Sequence, residues 1–181
     1  MREKLMIRLL VFCVMCSGIV FFERIRPSTP LFMGRKTTSA DPDVSVLVFP
    51  QQIQGVIVAE DRLTTSENAV IARLNAEAQM IAEGIAASQA DNWPPNNPVY
   101  MLRCLGSLVF VYRATFTPQL LNAVRQGQPA KRLTIVSKYE PRLAPHLPLG
   151  LNIFDPQHRQ RLVHILCSIE YDIVTRILAL E

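Results

Sequence analysis

Fourteen consecutive residues without a charge, Leu9 to Phe22, follow a start that carries Arg2, Lys4 and Arg8. This run constrains the fold more than any other stretch, because so much apolar surface must leave water. It enters a bilayer, is removed on export, or packs inside protein. A helix that spans a bilayer takes about 20 apolar residues. Leu5, Met6 and Ile7 lengthen the run toward that figure if Arg8 extends its guanidinium to the headgroups. The one small-residue spacing suited to cleavage, Cys16-Ser17-Gly18, is followed by Ile19, Val20, Phe21 and Phe22, which prolong the apolar run beyond the cut. Residues 1–26 are therefore read as a signal anchor or signal peptide, with retention as a membrane helix preferred to cleavage. The expected location is membrane-anchored with an extracytoplasmic domain, or secreted or periplasmic after cleavage.

Pro27, Pro30, Gly34 and Pro42, set among small polar residues, oppose a regular element, so residues 27–43 are expected to form a flexible tether. Residues 44–181 then make a single domain, large enough to bury a core of its own. Its first part, Val44 to Phe49, is β-branched and apolar, Pro50 stops it, and Ile53 to Val58 forms a second strand-like run. Thr64-Thr65-Ser66-Glu67 has the pattern of a capping box, and Val70, Leu74, Ala78, Ile81 and Ile85 recur behind it at helical spacing, predicting a helix over about 65–90. The alanines along that helix favour it intrinsically and suit a closely packed face within one domain.

Val99 to Phe116 is the most strand-like stretch, interrupted at Gly106-Ser107, and reads as a hairpin or one bulged strand in which Arg103 and Arg113 mark exposed faces. A short helix from Pro118, a half-buried strand over 131–137 and a brief strand near 151–154 follow. Asp155-Pro156 starts a terminal helix whose stripe runs through Leu162, Ile165, Leu166, Ile169 and Ile173. The predicted fold class is α+β: a mainly antiparallel sheet with two long helices packed on one side of it, preceded by an N-terminal membrane or signal helix.

The formal net charge is +4, but five positive and two negative charges fall in the first 26 residues, leaving the rest close to neutral. That balance argues against a nucleic-acid partner, as does the scarcity of aromatics among the basic residues. The basic side chains of the domain gather between residues 125 and 142. Arg125, Lys131, Arg132, Lys138 and Arg142 are candidates for contact with an anionic surface, and Trp93, beside two prolines, for contact with a protein partner.

Cys104 and Cys167 lie beyond the apolar leader and are expected to join as a disulfide in an oxidising compartment. No phosphate loop, serine elbow or zinc motif follows residue 26, so no catalytic, cofactor or metal residues are assigned. His146, His158 and His164 lack the convergent partners that a metal site needs, and His158 and His164 fall within the terminal helix. The functional expectation is a membrane-tethered or exported interaction domain, such as an assembly factor or inhibitor, preferred to an enzyme; the alternative is a cell-envelope enzyme such as a hydrolase with a dispersed site.

Overall fold

The computed structural model describes residues 21–25, 29–40, 44–48, 53–61, 69–89, 96–140 and 150–178. In chain order the elements are β1 (Phe21–Ile25), β2 (Thr29–Met33), β3 (Lys36–Ala40), β4 (Val44–Val48), β5 (Ile53–Asp61) and α1 (Ala69–Gln89). They continue with β6 (Pro98–Leu105), β7 (Leu108–Thr115), α2 (Pro118–Gln126), β8 (Val136–Lys138), β9 (Leu151–Asn152) and α3 (Pro156–Leu178). The main sheet runs β1-β4-β5-β6-β7-β8, with β9 also on β7, and β2 and β3 form a separate hairpin.

Strand pairing is antiparallel except between β5 and β6, which are parallel. Parallel neighbours need a crossover, and α1 supplies it by returning the chain to the starting end of the sheet. The sheet is therefore mixed. Every residue of β6 is buried, as expected for a strand covered on both faces. Val99 and Met101 join Met80 and Ala87 of α1 in one core cluster with Tyr112, Ala114 and Phe116. The alternate residue Tyr100 donates its hydroxyl to Asp172 of α3. Successive side chains of a strand point to opposite faces, so the two long helices lie on opposite faces of the sheet. This corrects the expected one-sided packing, because helical stripes show how much surface each helix must bury but not which face receives it. Close approach of α1 is secured at Gly84, where a Cβ would come within 2.9 Å of the Met101 sulfur.

Among the described residues no helix is long and apolar enough to cross a membrane. The fold class is corrected accordingly to an α+β fold with a mixed sheet and, among the described residues, three helices. Residues 1–20 lie outside the described residues, but the end of the apolar run is accounted for differently. Phe21 and Phe22 belong to β1 and pair with Val48 and Leu47. The hydrophobic continuation that favoured an anchor over a cleaved signal is strand sequence at this point. The membrane partner, the extracytoplasmic location, and the tethered interaction domain with its cell-envelope alternative rested on that helix and lose their support.

The segment read as a tether contains the β2–β3 hairpin. Pro30 is tolerated because Phe32, two residues on, turns its N–H away from β3 toward Gln89, so the donor that proline lacks would also point off the ladder. Gly34, at φ 60°, makes the turn and donates its N–H to the Val124 carbonyl at 3.1 Å. A Cβ there would lie 3.1 Å from the Cα of Gly127, the left-handed residue that closes α2. α2 starts as the sequence suggests, with Pro118 in its first turn and the Thr117 hydroxyl accepting the Leu120 N–H.

Gln89 ties these pieces together. Its side-chain oxygen accepts the Phe32 N–H at 3.0 Å and its amide donates to the Phe32 carbonyl at 3.2 Å. Its own carbonyl accepts from Arg125 at 2.6 Å, which satisfies one of the open acceptors at the end of α1. Gln89→Ala should lower the unfolding free energy by about 1–3 kcal/mol, because both Phe32 backbone groups lose their partner. Denaturant unfolding measures the loss, and amide exchange at Phe32 should accelerate with it.

A candidate ligand groove

The sequence of α3 carries two stripes. Leu162, Leu166, Ile169 and Ile173 are buried against the sheet. Arg161, His164, Ile165 and Ser168 recur at spacings of three and four, on the flank beside it. That flank faces β7 and β8 across an open groove of about 560 Å³, within the range of small-molecule sites. Val111, Ile165 and Ile169 supply apolar wall, Tyr100 and Tyr139 supply aromatic surface, and Arg113 and Arg161 bring positive charge.

Among the described residues no aspartate or glutamate lines the groove. Asp172 lies close behind, but a single oxygen of it accepts both the Tyr100 hydroxyl at 2.6 Å and the Arg176 Nε at 2.8 Å. Burial opposes ionisation of Asp172, yet these two hydrogen bonds, with the positive charges of Arg176 and Arg113, together outweigh it and hold the carboxyl below its ordinary value. The same arrangement acts on Tyr100 in reverse. Burial first, then the hydrogen bond to a carboxylate, pushes its phenol up to about 12. Arg113 pairs across the sheet with Tyr100, its guanidinium 5.9 Å from the ring centroid. Among the described residues neither Arg113 nor Arg161 is in an ion pair.

Lys138 also borders the groove, but its ammonium is engaged on the other face, 3.7 Å from Glu77 and 4.9 Å from the centroid of the Phe110 ring. Glu77 is the centre of a cluster under α1. It accepts the Tyr112 hydroxyl at 2.6 Å and pairs with Arg103 at 3.3 Å. Burial and that hydrogen bond raise the Tyr112 phenol far above its usual range. Arg103, expected on an exposed face, is only 3% exposed because α1 covers it. Arg113, on the α3 side of the sheet, is exposed as expected.

The basic side chains proposed as one surface are dispersed. Arg125 binds the end of α1, and Lys138 sits with Glu77. Lys131 and Arg132 are exposed beside a different depression of about 430 Å³ along α2. Trp93, Arg142, His146 and the Thr64 cap lie outside the described residues. His158 accepts the Asn152 N–H on Nδ1, joining α3 to β9, while Asp155 caps the helix through the N–H groups of Gln157 and His158.

The expected disulfide is corrected: Cys104 and Cys167 are not bonded to each other, one being buried and the other exposed. α3 docks with Leu166 and Ile169 inward, which turns Cys167 outward while Cys104 stays at 0% exposure within the sheet. Among the described residues no cluster of His, Cys, Asp or Glu suits a metal ion. The Ser168 hydroxyl donates to the His164 carbonyl at 2.8 Å, so it is spent on the helix and not on the imidazole.

Compared with protein-family models, with curated proteins and with solved structures, the chain has no match. The groove is thus read from its own geometry. Sequence reasoning missed it, although the spacing of Arg161, His164, Ile165 and Ser168 was a usable signal. It went unused because His164 was weighed as a metal ligand and not as one member of a helix flank.

Replacing the carboxylate behind the groove tests these electrostatics. Asp172→Asn should lower the Tyr100 pKa, since the phenolate would no longer form beside a negative charge. In the native chain Tyr100 titrates higher when folded, so its contribution to stability is complete below pH 10 and is lost as pH rises through about 12. Ultraviolet tyrosinate titration of the two proteins checks the shift.

Proposed function

We propose that the chain binds a small ligand with an anionic head and an apolar body in the groove between α3 and β7–β8. The observation that carries this is the pairing of an apolar wall with two exposed guanidiniums, Arg113 and Arg161, and no carboxylate among the described lining residues. Such a lining attracts an anion, because neither cation is in an ion pair among the described residues and both can offer forked donors to a carboxylate or phosphate. Val111, Ile165 and Ile169 would take the apolar part out of water. Binding is favoured over catalysis as the role of this site, because His164 and Ser168 do not form a base and nucleophile pair.

Calorimetric titration with decanoate, decyl phosphate and decanol separates the terms. Both anions should bind saturably, and decanol at least about tenfold more weakly, which corresponds to about 1.4 kcal/mol. Arg161→Glu or Arg113→Glu should weaken the anions by at least that factor, and added salt should weaken them in the native chain. Lys131→Glu, at the separate depression, should change little. Equal binding of decanol and decanoate, or indifference to charge reversal at Arg161, overturns the assignment.

A further inference from the structure

Among the described residues β8 ends the main sheet and pairs with β7 alone, over Val136, Ser137 and Lys138. The Tyr139 N–H donates to the Val111 carbonyl at 2.8 Å, which makes Tyr139 and Val111 a hydrogen-bonded pair. Bonded and non-bonded pairs alternate along an antiparallel ladder, so Ser137 also points its backbone groups at β7. The N–H and C=O of Val136 and Lys138 therefore point outward, along an edge on which no described residue pairs. The chain leading into this edge exposes Leu133 at 99% and Ile135 at 79%. An unpaired edge with large apolar side chains beside it is a template for strand addition.

We infer that this edge pairs with the same edge of a second copy, antiparallel and centred on Val136. In that register Val136 meets its own counterpart, and Thr134 meets Lys138. Leu133 lies opposite Tyr139, and Ile135 opposite Ser137, which covers both exposed aliphatic side chains. Arg132 comes opposite Glu140 of the copy, and both are exposed with no ion pair among the described residues.

Charge selects this register over its neighbours. Sliding the pairing by two residues keeps the outward groups matched but sets Arg132 against Lys138 in one direction, and in the other sets Glu140 against Thr134 and so away from Arg132. Like charges opposite one another across a strand pair are unfavourable. A slip by one residue would oppose outward backbone groups to inward ones and break the ladder. The occupant is thus a second copy, because the segment carries its own complementary charge at the matching distance from Val136. The pairing shares Ser137 and Tyr139 with the wall of the groove, but it rests on the backbone edge and not on a groove ligand.

Sedimentation of the full-length chain over a wide concentration range tests it. A dimer should form with rising concentration, and Val136→Pro should weaken it at least about tenfold, since one outward donor is lost from each copy. The ladder to β7 should survive that change, because the Val136 N–H does not face β7, and circular dichroism should remain native. Arg132→Glu should weaken the dimer, and Arg132→Glu combined with Glu140→Arg should restore it. A chain that stays monomeric throughout, or a dimer unaffected by Val136→Pro, overturns the inference. So does failure of the charge exchange to restore association, or saturable capture by the monomer of an acidic extended peptide in place of a second copy.

Discussion

The two-sided burial of β6 is the constraint on which the rest of the molecule depends. A strand with no exposed residue cannot hydrate its polar side chains, so each one requires a partner from the layer that covers it. Arg103 finds Glu77 on α1, and Tyr100 finds Asp172 on α3. These polar contacts determine how the helices lie as well as that they lie there. Apolar stripes permit sliding, whereas a carboxylate held 2.6 Å from a phenol on the strand does not.

The groove follows from the same docking. α3 commits Leu162, Leu166 and Ile169 to the sheet, and its flank with Arg161 and His164 overhangs β7 and β8 without filling the space between. Asp172 gives one oxygen to Tyr100 and Arg176 and acts on Arg113 through space, without an ion pair to it among the described residues. A polar clamp that serves packing thereby leaves positive charge available beside an apolar surface.

On the other side of the sheet, a side-chain amide takes the place of a missing strand. Gln89 presents one donor and one acceptor to Phe32, as a neighbouring backbone would, and so attaches a two-stranded hairpin to a helix end. A hairpin of two strands is marginal alone. The clasp, the buried Leu31 and Ala40, and the contact of Gly34 with Gly127 hold it to the rest of the fold. None of these is visible in the Pro- and Gly-rich composition that made residues 27–43 look irregular.

Local chemistry was readable directly from the chain. The Asp155-Pro156 start of α3, the Pro118 start of α2 and the apolar stripe of α3 each depend on residues a few positions apart, and each appears in the structure. The strand character of 99–116 and its break at Gly106 were readable for the same reason, since β6 and β7 are joined by the turn at that glycine. Long-range placement was not readable. The parallel pairing of β5 with β6, the opposite faces taken by α1 and α3, the outward position of Cys167 and the separation of Arg125 from Lys138 all depend on contacts between residues far apart in sequence. A strand pattern specifies two faces without saying what covers them, and a run of basic residues specifies charge without saying where each side chain will be bound. Sequence determined the elements and the surfaces they had to bury; only the tertiary structure decided which surfaces met, because that choice rests on polar pairs that form only once the layers are stacked.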